Sequence, residues 1–168
     1  LGLGVVTLGY SHPKVNEAIL AQLRNGISFS LPHRLEVEVS ELLNEVIPCA
    51  EMVRFSKTGS EVTSAAIKLA RAYTGRDHLA YWGYHGWADW YSIISDLPKG
   101  IPKSYSKYIH QFQYNNLQSL EEILNTYSVA AVIMEPVTFT PPKDNFLHDV
   151  REMTSKNGAI LIFDEIFT

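Results

Sequence analysis

The chain carries one cysteine, Cys49, so an internal disulfide is excluded. Set among apolar and helix-forming residues, it is expected to be a packed thiol rather than a nucleophile, in a reducing, cytoplasmic setting. No apolar run approaches the roughly 18 residues that a membrane-spanning helix needs, and no charged-then-apolar leader is read at the start. There is no run of one charge sign, and 14 basic side chains stand against 18 acidic ones. That balance gives no electrostatic footprint for nucleic acid or a membrane surface, and small molecules are the expected partners. None of the ten glycines is followed by lysine, which removes the phosphate-binding loop of the P-loop ATPases.

What is present is enough for a packed core: 168 residues, 46% apolar and 19% charged. Leu1 is not an initiator methionine, and both ends are expected to be cut from a longer polypeptide. His12-Pro13 opens a helix on which Val15, Ile19, Leu20 and Leu23 recur at helical spacing as far as Gly26. Val39, Leu42, Leu43 and Val46 mark a second, ended by Pro48. Residues 52–56 read as a short strand, 61–74 as a helix closed by Gly75, and 78–82 as a strand followed by a long aromatic loop. Residues 117–127 and 145–156 read as helices, and 129–135 and 159–163 as apolar strands ending at acids. Residues 102–107 and 138–145 are the expected exposed loops. Apolar strands separated by helices predict an α/β fold, a mostly parallel sheet covered on both faces, with ligands collecting at the carboxyl ends of its strands.

Three clusters fall at such ends. Thr58-Gly59-Ser60-Glu61 reads either as a plain helix start with Ser60 as N-cap, or as a cup in which backbone N–H groups and the Ser60 hydroxyl meet a phosphate at the helix dipole. Asp164-Glu165 closes an apolar strand, as either a simple cap or a carboxylate held against a protonated ring nitrogen. Gly83-Tyr84-His85-Gly86 places an aromatic ring between two glycines that let a ligand approach the backbone, among Trp82, Trp87, Trp90 and Tyr91. The tryptophans on their own read as core or interface. The spacing of His12, His33, His78, His110 and His148 matches no metal-site pattern.

In order along the chain, Leu8-Gly-Tyr-Ser-His-Pro13, Met52-Val-Arg-Phe55, Thr58-Gly-Ser-Glu61, Lys68-Leu-Ala-Arg-Ala-Tyr-Thr-Gly-Arg76, Gly83-Tyr-His-Gly86, Glu135-Pro136 and Phe163-Asp-Glu-Ile166 resemble the class III aminotransferases. These are pyridoxal-phosphate enzymes of fold type I, and the chain is most similar to their glutamate-1-semialdehyde aminomutase branch. The resemblance implies that Gly59 and Ser60 bind the cofactor phosphate, that Tyr84 stacks on one face of the pyridine ring with His85 beside it, and that Asp164 pairs with the ring nitrogen. Ile166 would press on the opposite face, and Glu61 and Glu135 would support the site. Residues 1–168 would be the N-terminal part of the cofactor-binding large domain, without its remainder or the C-terminal small domain.

The family's Schiff-base lysine lies some tens of residues beyond the Asp-Glu motif, hence beyond Thr168. None of Lys14, Lys57, Lys68, Lys99, Lys103, Lys107, Lys143 or Lys156 sits in its context. The resemblance also implies a homodimer. Two segments depart from the aminomutase branch: the loop after Tyr-His-Gly is shorter, and so is the stretch after Glu135-Pro136, where Thr140 is the one candidate to face the ring oxygen. Both favour transamination between an amino donor and a carbonyl acceptor, with Trp87 and Trp90 shaping the acceptor pocket.

Overall fold

The computed structural model describes residues 2–96 and 98–168, which divide into two compact units, Leu1–Phe55 and Ser56–Thr168. The first unit holds a 3-10 turn, Gly2–Gly4, and helices α1 (Pro13–Leu23) and α2 (Arg34–Val46). Pro13 stands at the first turn of α1, where its missing N–H costs nothing. The Nδ1 of His33 accepts from the Leu35 amide at 3.2 Å and caps α2. Neither helix buries a residue, so the apolar stripes read from the sequence lie open, Leu20 and Leu42 among them. Cys49 is exposed, not packed as expected. It lies in the turn after α2, with no strand over it, because residues 52–56 form no strand. Five residues give too short a ladder to hold without a partner strand.

The second unit is a parallel sheet of four strands, β1 (His78–Trp82), β2 (Ile109–Gln111), β3 (Val129–Met134) and β4 (Ile160–Phe163), in the order β2-β1-β3-β4. Helices α3 (Gly59–Thr74), α4 (Asp89–Ser92), α5 (Leu117–Thr126) and α6 (Phe146–Lys156) surround it. Strand alternation sorts the core. Leu79, Tyr81, Ala131 and Ile133 pack with Ile67 and Ala70 of α3 on one face. Ala80, Val132 and Met134 pack with Leu120 and Leu124 of α5 and Val150 of α6 on the other. A fully buried side chain of this kind contributes about 1.5–3 kcal/mol, so the two clusters hold the layers together. The Arg76 guanidinium, donating to the carbonyls of Val129 (3.0 Å) and Asn157 (2.7 Å), ties the start of β3 to the end of α6.

The α/β sheet with helices on both faces agrees with the sequence reading. Strand β2 was not read from the sequence, because Ile-His-Gln is too short and too polar to register as an apolar run. It falls, with α4 and a 3-10 turn at Lys103–Tyr108, inside the stretch read as one aromatic loop. The chain runs from β1 outward to β2 and returns past β1 to β3, so the direction of winding reverses between β1 and β3. Crevices form at the carboxyl ends of strands at such a reversal.

Helix α3 is fixed at both ends by local chemistry. The Thr58 hydroxyl accepts from the Glu61 amide at 3.3 Å while the Glu61 carboxylate accepts from the Thr58 amide at 3.3 Å, a reciprocal capping box. Thr58, not Ser60, is therefore the N-cap. Gly75 ends the helix at φ 66°, its N–H bonded to the Arg71 carbonyl. Thr58→Ala is expected to cost about 1 kcal/mol of stability, read as a lower urea midpoint at unchanged slope.

At the other end of the sheet, His78 Nδ1 and His110 Nε2 lie 2.9 Å apart, and the His110 ring stacks on Tyr127 at 3.7 Å. Burial, and secondarily the nearby His78, push the His110 pKa down. The folded state thus resists a proton that the unfolded chain takes up, so the stability held above the ordinary histidine range is lost as pH falls through it. Melting temperature is expected to drop between about pH 7 and pH 5, and His110→Phe, which keeps a ring against Tyr127, is expected to flatten that part of the curve.

Candidate functional site

Four segments meet at the carboxyl end of the sheet: the N-terminus of α3, the turn after β1, Glu135 after β3, and Asp164–Ile166 after β4. At α3 the capping box consumes the N–H groups of Thr58 and Glu61, and the Val62 amide returns to the Thr58 carbonyl. The amides of Gly59 and Ser60 are the two left with no acceptor among the described residues. The Ser60 hydroxyl oxygen accepts from the Trp87 amide at 3.0 Å, which leaves its proton to be donated. Three donors thus converge at the positive end of a sixteen-residue helix, the chemistry of a phosphate site. Glu61 takes no part in the convergence. Its carboxylate accepts from the Ser56 hydroxyl (2.5 Å) and the Lys57 amide (2.9 Å), and these bonds, the hydroxyl first, hold its pKa below the usual carboxylate range. It shapes the turn.

The turn after β1 is built around two glycines in the left-handed region, Gly83 at φ 98° and Gly86 at φ 92°. A Cβ on Gly83 would stand 3.0 Å from the Glu135 Cγ and overlap its carboxylate. One on Gly86 would stand 3.1 Å from the Ser60 Cα and overlap the hydroxyl. Both positions therefore require glycine for conformation and for space. Between them the Tyr84 amide donates to the Glu135 carboxylate at 2.8 Å, which fixes the backbone while the ring remains 66% exposed.

His85 points the other way and is buried, beneath the turn rather than beside the Tyr84 ring. Its Nδ1 lies 2.8 Å from the Asp164 carboxylate and its Nε2 lies 3.0 Å from the Trp82 carbonyl. A carbonyl can only accept, so Nε2 is the donor toward Trp82 and Nδ1 faces the carboxylate. Each buried group thus has its partner. The second Asp164 oxygen accepts from the Ile166 amide at 3.2 Å. The Ile166 side chain reaches back to Gly59, where an added Cβ would lie 3.3 Å from its Cγ1. Thr63 joins the two halves, its hydroxyl bonded to the His85 carbonyl at 3.2 Å.

The structure thus brings together Gly59, Ser60, Tyr84, His85, Glu135, Asp164 and Ile166. Trp90 lies behind them, its ring stacked on His85 at 6.0 Å. It is 8% exposed, and its indole N–H donates to Ser64 at 3.1 Å, bracing α4 on α3. Trp87 is open to solvent beside Ser60, at the phosphate-like end of the site. Thr140 is exposed in the stretch after Glu135. Tyr91 and Trp87 are the partners that the motifs alone did not supply. The Thr58-x-x-Glu61 spacing could have given the capping box, but the Trp87 bond is made by a backbone amide and leaves no trace in residue types. A cavity of about 310 Å³ lined by Arg71, Asp77, Trp90, Tyr105, Tyr108 and Ile109 opens near the amino ends of β1 and β2, and none of Gly59, Ser60, Tyr84, His85, Glu135, Asp164 and Ile166 lines it.

A free-donor cup for a dianion, an exposed ring on an immobilised turn, a buried carboxylate and an apolar side chain between them fit a planar aromatic cofactor that carries a phosphate. The family model described as aminotransferase class-III matches residues 1–168. A 3-aminobutyryl-CoA aminotransferase of Cloacimonas acidaminovorans is 38% identical over 97% of this chain and 41% of its own length. A glutamate-1-semialdehyde 2,1-aminomutase of Natranaerobius thermophilus is 37% identical over 98% of this chain and 42% of its own. A solved transaminase with pyridoxal phosphate bound superposes with a TM-score of 0.84 at 31% identity, over 91% of this chain and 40% of that one. The chain therefore spans about two fifths of the length of the relatives it matches.

Proposed function

The chain belongs to the class III aminotransferase family, and from that premise we propose that the full-length protein is a pyridoxal-phosphate-dependent aminotransferase acting on a small amino donor and a carbonyl acceptor. Residues 1–168 would supply the N-terminal part of its cofactor-binding large domain. The observation that carries the reading is the meeting of the unspent Gly59 and Ser60 amides with the buried Asp164 carboxylate at one edge of the sheet.

When bound, pyridoxal phosphate supplies a protonated pyridine ring that withdraws electrons from a substrate carbanion. The groups of this chain hold that ring in a working state. Gly59 and Ser60 would bind the phosphate, with Gly86 leaving room for the Ser60 hydroxyl. Tyr84 would cover one ring face and Ile166 the other. Asp164 would hold a proton on the ring nitrogen, and His85, anchored to the Trp82 carbonyl, would keep the carboxylate turned toward it. Glu135 would fix the Tyr84 backbone, and Glu61 the turn that presents Gly59 and Ser60. The lysine that moves the substrate proton is assigned to the part of the protein after Thr168. A homodimer in the cytoplasm is part of the proposal.

Its test is the absorption spectrum of the full-length protein with pyridoxal phosphate, before and after an amino donor such as glutamate. The expected result is a visible band that bleaches with donor. A protein that takes up no coenzyme would overturn the reading. The similarity to glutamate-1-semialdehyde aminomutases favours a second reading, intramolecular amino transfer. It is distinguished by product formation from glutamate-1-semialdehyde without any second amino or carbonyl compound.

A further inference from the structure

From the contacts of α4 we infer that Tyr91 is a positioning residue: one side chain that sets the orientation of both Tyr84 and His85, and through them the stacking face and the Asp164 carboxylate. The inference rests on the roles proposed above for Tyr84 and Asp164. The Tyr91 hydroxyl donates to the carbonyl of Gly83 at 3.0 Å. Gly83 is the residue whose left-handed conformation turns the chain from β1 toward the site. Together with the Tyr84 amide on Glu135, this bond pins the first peptide of the turn from both sides. Both polar groups of that peptide are thereby held by protein partners, while the Tyr84 side chain is left open.

The ring of Tyr91 does the rest. It stands edge-on to Tyr84 at 5.6 Å and 86°, and edge-on to His85 at 5.5 Å and 74°. These are the favoured arrangement of aromatic quadrupoles. Its other sides meet Tyr81 of the core at 5.9 Å and Trp90 at 5.7 Å, so it is itself held in place. Burial first, then the nearby Tyr84 and Glu135, push the Tyr91 pKa up, against a weaker opposing pull from the His85 amide. The phenol therefore stays protonated, and a donor, across the neutral range. Tyr84 and His85 are adjacent in the chain but point apart, one to solvent and one into the core, and Tyr91 touches both rings.

The experiment uses the full-length protein with Tyr91→Phe, which keeps the ring and removes the hydrogen bond, and Tyr91→Leu, which removes both. Three quantities are read: the dissociation constant of pyridoxal phosphate, the circular dichroism induced in the bound coenzyme, and amide exchange across residues 83–86 in cofactor-free protein. Loss of one hydrogen bond is expected to weaken coenzyme binding about 2- to 10-fold in Tyr91→Phe. Further loss of the ring contacts is expected to bring Tyr91→Leu to roughly 10- to 100-fold, with a changed induced signal. Exchange of the Tyr84 and His85 amides should quicken in both. A purely structural role would lower the melting temperature while leaving the dissociation constant and induced signal of the folded Tyr91→Phe protein at their wild-type values, and that result overturns the inference. Should wild-type protein take up no coenzyme, the functional reading falls. Exchange in the cofactor-free variants then decides alone: quickened exchange upholds the hold of Tyr91 on the turn, and unchanged exchange refutes it.

Discussion

Asp164→Asn is expected to slow the transamination proposed for the full-length protein roughly 10- to 1,000-fold with the fold intact. A carboxylate beside a titrating cation favours the protonated form by about 1–3 pK units, and each unit of lost preference is worth about tenfold in a rate that depends on it. Asparagine keeps the shape and an acceptor for the Ile166 amide, so the change removes charge more than packing. The pH at which the bound coenzyme loses its ring proton should fall with the rate, which a spectroscopic titration measures directly. A rate within about threefold of wild type would show that Asp164 is not the ring partner. Asp164→Ala is a poorer probe. It strands the buried His85 with one of its two partners gone, and breaking a buried pair in this way costs about 3–5 kcal/mol. The two variants thus separate the carboxylate's chemical role from its place in the core.

Gly86→Ala is expected to cost about 2–6 kcal/mol and to remove coenzyme binding, the second large effect. Left-handed strain on a residue with a Cβ accounts for roughly 1–3 kcal/mol, and overpacking for a similar amount. The new atom would overlap the Ser60 hydroxyl and press on the Ser60 backbone, which belongs to α3 and has no rotamer to move into. If the turn yields instead, the Trp87 amide leaves Ser60 and the phosphate cup loses its shape. Denaturant titration and coenzyme binding together check this. A variant that binds with wild-type affinity would mean that the turn and helix can part without consequence.

Residues whose role is carried by pattern were legible in the sequence. The bounds of β1 match those read from the apolar run, and α3 extends the reading by two residues, because periodicity and a left-handed Gly75 leave few alternatives. Apolar strands alternating with helices gave the α/β class, and the motifs at the strand ends gave residues that lie together at one edge. What stayed hidden was made by the backbone or across long separations. The strand expected at 52–56 failed for want of a neighbour, and β2 went unread because its pairing with β1, not its composition, makes it a strand. Ser60 resembled an N-cap, yet Thr58 holds that place because Glu61 can reciprocate only at a spacing of three. His85 looked like a companion of Tyr84, but alternation about the turn sends it under the sheet edge to Asp164, 79 positions away. The aromatic density around Trp90 reads as core, and Trp90 is indeed buried with its indole on Ser64; the role in an acceptor pocket came from the family comparison of loop lengths.

The 79-position span between His85 and Asp164 couples occupancy to folding by mass action. The two side chains meet only when β4 has docked beside β3, so a chain lacking that pairing does not bring Asp164 to the edge. Any ligand held by the edge then binds the docked arrangement alone and draws the population toward it, adding about 2.7 kcal/mol at a free concentration one hundred times its dissociation constant. Supply of such a ligand would therefore be read as resistance to proteolysis as well as occupancy of the edge.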